Sequence, residues 1–251
     1  MLEAFIGRAI LVAIRVGALM SVAPFFGNAS LPNQVKAGLT FVLTALLLPI
    51  YAPQMPAATA TIGWFSMALS ELAVGMLVGF ATQFVFDGMA LAGQIVSFQF
   101  GFSLVNVIDP NSQVDVTVLS TFYELVTLLI FMSIGVQRWV LRALAASFKA
   151  IPLGTALTFS APEVMRMATS MWLIGAEIAF PVLLGTILTD LTIGFVAKAS
   201  PQFPALFLGI STKFLLGLAI LYGTVVFWPH QLERYFFHAM TDLQFLLTSQ
   251  R

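Results

Sequence analysis

No cysteine occurs in the sequence, which excludes disulfide bonds, thiol chemistry and cysteine-ligated metal sites. Histidine is nearly as scarce: His230 and His238 lie near the C-terminus, and we interpret them as interfacial or solvated side chains rather than metal ligands. The patterns GxxxxGK[ST], HExxH and GxSxG, typical of nucleotide sites, zinc proteases and serine hydrolases, are also missing. We therefore expect a protein that is not an enzyme and that needs neither a metal nor a cofactor.

Charged side chains make up only 9% of the sequence, whereas ordinary soluble domains contain about 25%. Hydrophobic residues make up 59%, and the mean hydropathy is +0.97. A soluble fold of 251 residues could not hide this much apolar surface from water. The composition therefore predicts an integral membrane protein. The 11 basic and 11 acidic residues cancel, so a nucleic-acid partner has no electrostatic support.

The apolar stretches are long and continuous, which favours helices over the alternating strands of a membrane barrel. We predict an all-α, integral membrane-type protein. Apolar helices are predicted at 4–26, 37–51, 62–86, 116–137, 167–197 and 203–228, with an amphipathic tail at 230–251. We interpret residues 1–26 as a retained first membrane segment rather than a signal peptide. Arg15 interrupts its apolar run, and Pro24 would directly follow the supposed cleavage site.

Two stretches leave the topology open. No charged residue lies between Asp87 and Asp109, and this stretch either spans the membrane or does not. The region 138–166 is more polar, and it reads as an amphipathic helix followed by a loop at Pro152-Leu153-Gly154. It holds four of the eleven basic residues: Arg138, Arg142, Lys149 and Arg166. Such a cluster favours a cytoplasmic location.

Several charges interrupt the apolar segments, where a charge is costly and usually faces protein or water. They are Arg8, Arg15, Glu71, Glu124, Glu177, Asp190 and Lys213. Arg8 and Arg15 lie seven positions apart and therefore share one helix face. These charges could line an ion or substrate path, or they could pair between helices or subunits. We favour the pairing interpretation, because their spacing does not resemble a proton relay.

Glycine and proline mark positions of close packing and bending. Gly75 and Gly79 form a GxxxG pattern, which allows close helix approach. Pro181 lies inside a long apolar run and is predicted to kink or break the helix. The stretch that starts at Glu71 also resembles the one that starts at Glu177. This similarity indicates either an internal repeat, as in transport folds, or chance matching in a biased composition.

The stretch Phe98-Gln99-Phe100-Gly101-Phe102 alternates large and small or polar side chains. On a helix, steps of two residues spread the three phenylalanines around the axis, so they define no single face. Gly101 weakens a helix, and Asn106, Asp109 and Pro110 favour a turn. The stretch is therefore either a loop that is buried in protein or faces a water-filled cavity, or a helix that faces lipid.

Four groups of residues, in this order along the chain, carry a resemblance to a known family. They are Glu71 with Gly75 and Gly79; Ala92-Gly93-Gln94 with Phe100-Gly101-Phe102 and Asp109-Pro110; Ser147-Phe148 with Pro152; and Phe180-Pro181-Val182 through Asp190 with Lys198, Pro201, Gln202, Phe207 and Lys213. By these residues the sequence resembles the FliR/SctT family of flagellar and virulence-associated type III secretion export gates. Pro204, where that family usually carries Asn, and Val136-Gln137, where many members carry Gly-His, depart from the pattern.

The resemblance implies an export-gate subunit in the bacterial inner membrane, at a flagellar basal body or a secretion-system base. It implies long broken helices and helical hairpins, FliP-like and FliQ-like gate subunits and an FlhB-like switch protein as partners. Unfolded exported proteins would be its substrates, and membrane lipid its surroundings. The Phe98–Phe102 stretch matches the family's plug, a loop that helps to close the conduit. Whether the system is flagellar or virulence-associated stays open.

The resemblance also divides the single 251-residue subunit into regions. These are N-terminal helices (1–86), a candidate plug segment (87–115), a helix with a basic amphipathic region (116–166), a C-terminal helical hairpin (167–229) and an amphipathic tail (230–251). Lys198, Pro201 and Gln202 belong to the hairpin turn. If the hairpin is centred on Pro201-Gln202, Asp190 and Lys213 lie level with each other, and we predict that they pair.

Two other interpretations remain from the residues alone. A small-solute secondary transporter would place converging polar groups between broken half-helices. Glu71, Glu177 and Pro181 fit that description, but few other polar partners accompany them. A purely structural membrane scaffold is the second alternative.

Overall fold

The computed structural model describes residues 2–24, 32–51, 61–102, 117–155, 161–200 and 205–248. Within these ranges the regular secondary structure is helical and no strand is present, which confirms the predicted all-α class. The helices, in chain order, are α1 (Leu2–Val22), α2 (Asn33–Tyr51), α3 (Thr61–Gln99), α4 (Val118–Ile134), α5 (Val136–Ala150), α6 (Ala161–Ala199), α7 (Ala205–Val225) and α8 (Trp228–Thr248).

Helix α3 is longer than predicted, and this is a correction. The sequence predicts an end near Phe86, but the helix continues past Asp87 to Gln99 and is 39 residues long. No proline lies between residues 61 and 99, and the half-buried Asp87 does not interrupt the backbone hydrogen bonds of a helix. The uncharged stretch after Asp87 is thus the second half of one long helix as far as Gln99.

Helix α6 also has 39 residues, and Pro181 lies inside it. We predicted a kink or a break at Pro181. The helix is not broken there, since it runs from Ala161 to Ala199 without interruption. Membrane helices tolerate such a proline, because neighbouring groups can satisfy the backbone carbonyl that it leaves unpaired.

Four of the described helices are long and apolar enough to cross a membrane, with windows at Phe5–Val22, Asn33–Tyr51, Gly63–Gln99 and Val164–Ala199. Two further pairs pass the same test together, with a break between their members. Val118–Ile134 and Val136–Ala150 meet at an angle of 71°, and Gly209–Val225 and Trp228–Thr248 meet at 63°. Counting each bent pair as one span, six described segments could cross a membrane by length and composition.

The chain divides into two compact units. The first comprises Met1–Val85, Phe131–Ala168 and Phe236–Arg251. Its core contains buried apolar side chains of α1, the first half of α3 and α5, namely Leu11, Val12, Val16, Val74, Val78, Leu144 and Phe148. Helices α1 and α3 approach closely at Gly79. A Cβ placed on Gly79 would lie only 2.8 Å from the Cβ of Val22.

The second unit comprises Phe86–Ile130 and Thr169–Tyr235. In it α6 and α7 form the predicted antiparallel hairpin: Gly185 faces Ile220, and further toward the turn Gly209 faces Ile193. The end of α3 packs against the start of α4, where the Ser97 hydroxyl donates to Thr117 Oγ1 at 2.7 Å. The proposed turn residues Pro201 and Gln202 lie outside the described residues.

Candidate functional site: a buried ion pair and an aromatic turn

The most deeply buried charges of the described chain are Arg15 on α1 and Glu71 on α3. The Arg15 guanidinium donates from Nε to Glu71 Oε2 at 2.5 Å, and the two side chains are 0% and 1% exposed. The partners lie 56 positions apart in sequence, so the pair joins two separate helices of the first unit. A buried charge must be paired and hydrogen-bonded, since an isolated one would cost several kcal/mol.

A third segment completes this network. The Arg15 Nη1 and Nη2 groups both donate to the backbone carbonyl of Ile151, at 3.2 and 3.1 Å. The backbone N–H of Gly154 donates to Glu71 Oε1 at 3.0 Å. Each Glu71 oxygen therefore accepts a hydrogen bond, and the ion pair fixes the chain just after α5 to α1 and α3.

The Pro152-Leu153-Gly154 loop, which the sequence predicts, has the geometry that this network needs. Gly154 has a φ of 81°, a left-handed conformation that glycine adopts without strain. The Thr155 N–H donates to the Pro152 carbonyl at 3.3 Å and closes the turn. The turn therefore directs the Gly154 N–H toward the Glu71 carboxylate.

Aromatic and small residues enclose the pair. The Arg15 guanidinium lies 4.3 Å from the centroid of the Phe148 ring, a cation–π arrangement, and Tyr51 stacks on Phe148 with centroids 5.1 Å apart. Gly75 lies against the Arg15 backbone: a Cβ there would overlap the Arg15 carbonyl oxygen and lie 2.7 Å from the Ala18 Cβ. The GxxxG motif thus brings α1 and α3 close enough for the ion pair to form.

This network joins three segments of the first unit. Glu71 and the Arg15 guanidinium have protein partners inside the first unit, and both side chains are almost completely inaccessible. The geometry supports the pairing interpretation of these two charges. Arg8 lies two turns earlier on the same helix and is half-buried.

The charges of the second unit are more exposed. Lys213 on α7 donates to Asp190 Oδ2 on α6 at 2.6 Å, which confirms the predicted pairing. The Lys213 and Asp190 side chains are 16% and 53% exposed. Glu177 is exposed and accepts a hydrogen bond from the Tyr235 hydroxyl at 2.5 Å, and Glu124 is exposed on α4.

The Phe98–Phe102 stretch is only partly as predicted. We expected a non-helical segment, but Phe98 and Gln99 are the last helical residues of α3. The helix ends in a Schellman motif, in which the Phe102 N–H donates to the Ser97 carbonyl and the Gly101 N–H to the Phe98 carbonyl, both at 3.1 Å. Gly101, with a φ of 82°, therefore terminates the helix.

This aromatic turn, residues 98–102, presents its phenylalanines differently. Phe100 is buried against Phe214 of α7, with ring centroids 5.5 Å apart, and its ring occupies the space that a Cβ on Gly217 would need. Phe102 meets Phe214 edge-on at 6.0 Å and is partly exposed. Phe98 is 73% exposed. Phe100 thus anchors the turn to α7, and Phe98 is available for another surface.

Some predicted site residues lie outside the described residues, namely Asn106, Asp109, Pro110, Pro201 and Gln202. Lys198 is exposed in the last turn of α6. Among the described residues, no cluster of His, Asp and Glu side chains could hold a metal ion.

Sequence reasoning missed four groups of this geometry: the Ile151 carbonyl, the Gly154 N–H, Phe214 and Gly217. Every residue type has the same backbone carbonyl, and all but proline have the same N–H. The sequence therefore cannot predict which backbone groups bind Arg15 and Glu71. The Pro-Leu-Gly turn was the one available signal for Gly154. Nothing in the pattern of α7 distinguishes Phe214 or Gly217 from its other apolar and small residues.

Comparison with known proteins extends these observations. A family described as "Bacterial export proteins, family 1" matches residues 6–239, which is nearly the whole chain. The match includes both ion pairs and the aromatic turn.

Individual relatives are similar over most of their length. The chain is 28% identical over 213 residues to "Flagellar biosynthetic protein FliR" of Escherichia coli (strain K12), covering 83% of this chain and 80% of that protein. It is 26% identical over 221 residues to the protein of the same name from Buchnera aphidicola subsp. Baizongia pistaciae (strain Bp), covering 86% and 85%. It is 25% identical over 217 residues to that from Bacillus subtilis (strain 168), covering 84% and 83%.

Proposed function

The chain belongs to family 1 of the bacterial export proteins, and we propose on that basis that it is a subunit of a flagellar protein-export gate. The observation that carries this proposal is the family match across residues 6–239, on a chain whose described part is entirely helical where it is regular. The relatives named above are flagellar, which favours a flagellar over a virulence-associated system. The apolar helices support a membrane location, and we place it in the bacterial inner membrane.

Exposed features of the second unit support stable protein partners. Helices α6 and α7 carry large exposed apolar side chains, among them Phe195, Leu215 and Tyr222. The half-exposed Asp190 and the exposed Glu177 both lie on α6. Lipid covers apolar side chains well but receives charges at high cost, so protein neighbours suit this mixed surface better. We propose that FliP-like and FliQ-like subunits and an FlhB-like protein cover it.

The aromatic turn fits the role of a plug. It ends a 39-residue helix and is anchored by Phe100, while the adjacent Phe98 is exposed. A large apolar side chain with few rotamers can exclude water and ions from a narrow conduit by dewetting it. We propose that Phe98, with Phe102, faces the conduit through which unfolded proteins pass.

A transporter of small solutes is less well supported. Such a protein needs converging polar groups around a substrate site. In the described chain, Glu71 is fully occupied by Arg15 and the Gly154 N–H, and Glu177 interacts with Tyr235. A transporter or a purely structural scaffold would give different results from an export gate when the gene is deleted or the chain is purified.

The gate proposal is tested by deleting the chromosomal gene and restoring it on a plasmid. We expect deletion to abolish motility and the appearance of flagellar proteins in the medium, and restoration to recover both. An affinity tag on the chain should recover FliP-like and FliQ-like helical proteins in constant proportion. Normal export in the deletion strain would contradict the proposal, and so would a chain that is stabilised by a small solute but co-purifies with no partner.

The plug role needs a test that separates sealing from packing. Replacing Phe98, Phe100 and Phe102 together by Ala should let ions leak, but Phe100 also packs against Phe214. The single change Phe98→Ala is therefore sharper, because an exposed side chain contributes little to folding of the isolated unit. We expect higher membrane conductance and slower growth at unchanged complex abundance. The matched control is Phe195→Ala, another exposed phenylalanine, which should leave conductance unchanged. Unchanged conductance in Phe98→Ala gates would reject the plug role.

A further inference from the structure

Helices α5 and α8 form a groove on the first unit. One part has a volume of about 510 Å³ and is lined by Trp139, Arg142 and Met240, among others. A second part, of about 290 Å³, is lined by Lys149 and Leu247, among others. Both parts include Ala146 and Gln244, so they form one continuous groove. Its floor is mainly apolar, and cations lie at its edge.

The cations of α5 form a single stripe. Arg138, Arg142 and Lys149 are all exposed, and at 3.6 residues per turn they lie within an arc of about 40°. Arg142 and Lys149 line the groove, and α5 contains no acidic residue. The buried side of the helix carries Val140, Leu144 and other apolar residues, so α5 is amphipathic.

The facing side of α8 does not neutralise this stripe. The α8 residues that line the groove are Phe237, Met240, Thr241, Gln244, Leu247 and Thr248, none of which carries a charge. The nearest carboxylate in sequence, Asp242, is not a lining residue and pairs with Arg166 at 3.6 Å. In the described part of the chain, the groove therefore combines an apolar floor and two hydrogen-bonding groups, Thr241 and Gln244, with positive charge that no lining residue of α8 neutralises.

This combination matches one component of a membrane. An anionic phospholipid has acyl chains that suit an apolar floor and a phosphate that suits Arg and Lys. Trp139 lines the same groove, and tryptophan is enriched at the level of lipid headgroups. Amphipathic helices with cations on the polar face lie in that interface and bind anionic membranes. A soluble phosphate would use the cations but would leave the apolar floor uncovered.

We propose that the groove between α5 and α8 binds an anionic phospholipid, with the headgroup phosphate on Arg142 and Lys149 and an acyl chain along Ala146 and Leu247. Arg138 adds to the local positive potential from the next turn. The proposal concerns lipid contact and does not depend on the exported substrate.

The test uses the full chain, reconstituted in bilayers that contain bromine-labelled phosphatidylglycerol or bromine-labelled phosphatidylcholine at the same mole fraction. Bromine quenches nearby tryptophan fluorescence, and the contribution of Trp139 is the difference between the unsubstituted chain and Trp139→Phe. We expect phosphatidylglycerol to associate with Trp139 several-fold more strongly than phosphatidylcholine. Unlabelled phosphatidylglycerol should reverse the quenching, and soluble glycerol phosphate should not.

Three variants separate a built site from general charge attraction. Arg142→Gln with Lys149→Gln should abolish the several-fold preference for phosphatidylglycerol, because each cation removed weakens binding of an anionic lipid by about fivefold. The matched control, Lys198→Gln with Arg234→Gln, removes two exposed positive charges outside the groove and should keep the preference. Ala146→Phe fills the middle of the groove and should reduce quenching by both lipids.

Three outcomes would overturn the proposal. One is equal quenching by the two lipids in the unsubstituted chain. Another is an equal loss of preference in the groove variant and in its control. The third is quenching that disappears when FliP-like and FliQ-like subunits are added, because the groove would then be a protein interface. Export is not measured in this experiment, so its failure would leave the gate proposal unaffected.

Discussion

Two ion pairs inside apolar helices differ in burial and in what they connect. Arg15–Glu71, in the first unit, is 0% and 1% exposed and is joined by backbone groups of a third segment. Lys213–Asp190, in the second unit, is 16% and 53% exposed and joins the two arms of one hairpin. The charges of the first pair are thus satisfied inside the chain. The second pair, with the exposed Glu177 and Glu124, still presents charge at the surface.

The comparison shows that a charge in an apolar helix can have two different roles. Both pairs look alike in sequence, as single charges in stretches that lipid would otherwise cover. Burial separates them: the first pair is enclosed within its unit, and the second keeps a half-exposed carboxylate, which we propose that partner subunits cover. Four substitutions test this distinction, in order of decreasing expected effect on stability.

Removing one partner of the buried pair should have the largest effect. Glu71→Ala leaves the Arg15 guanidinium buried without a counter-ion, which costs about 3–5 kcal/mol. We expect the chain to lose its cooperative thermal unfolding in detergent and to be degraded in cells. The double variant Arg15→Met with Glu71→Leu removes both charges and should recover much of the stability. A Glu71→Ala chain as stable as the unsubstituted one would contradict the structural role of this pair.

Filling the close helix contact should have the next largest effect. Gly75→Val places side-chain atoms where the Arg15 backbone and Ala18 lie, and overpacking of this kind costs about 1–3 kcal/mol. The matched control in the second unit is Gly194→Ala, since a Cβ there meets nothing within 4 Å. Replacing a helical glycine by alanine should then raise stability by up to about 1 kcal/mol. Unfolding midpoints in one detergent compare the two, and equal losses would contradict the close approach at Gly75.

Breaking the exposed pair should have a smaller effect on the isolated chain. Asp190→Asn removes an ion pair whose carboxylate is half exposed, and such pairs contribute about 0–1 kcal/mol. Export should suffer more if partner subunits cover this charge, as we propose. The charge-swapped variant Asp190→Lys with Lys213→Asp should recover part of the motility lost in either single variant. No recovery would indicate that each residue has a separate partner in the assembly.

Tyr235→Phe should have the smallest effect. It removes the hydrogen bond to Glu177, whose carboxylate is exposed and can bind water instead. The net contribution of such a bond is about 1 kcal/mol or less. A shift of the unfolding midpoint as large as that of Gly75→Val would show that Glu177 is shielded in a way that its exposure does not indicate.

The sequence was sufficient for some of these features because they follow from local geometry. Asp190 and Lys213 lie equally far in sequence from the proline-containing turn, so they are expected to lie opposite each other in the hairpin. The pair forms as predicted. The helical class follows from continuous apolar stretches. The Pro152-Leu153-Gly154 turn follows from its composition, and Gly154 adopts the left-handed conformation that such a turn uses.

Other features depend on contacts that no local pattern encodes. The sequence marks Arg15 and Glu71 as costly, but the register between α1 and α3 is set by the packing of Gly75 and Gly79. The sequence predicts that α3 ends near Phe86, because a charge at Asp87 interrupts the apolar stretch, but the helix continues to Gln99. The alternating phenylalanines leave a loop and a helix open, and the resemblance to the family's plug predicts a loop at Phe98 and Gln99. The Schellman hydrogen bonds at Gly101 decide instead where the helix ends.

The half-life of the chain in cells, measured by pulse-chase with and without FliP-like and FliQ-like partners, tests the distinction between the two ion pairs most directly. Partners should lengthen the half-life of the unsubstituted chain. Glu71→Ala should shorten it under both conditions, because the buried pair acts within the chain. Asp190→Asn should leave the half-life without partners unchanged and should remove much of the protection that partners provide. An Asp190→Asn chain that decays as fast as Glu71→Ala without partners, or that keeps full protection with them, would contradict the account.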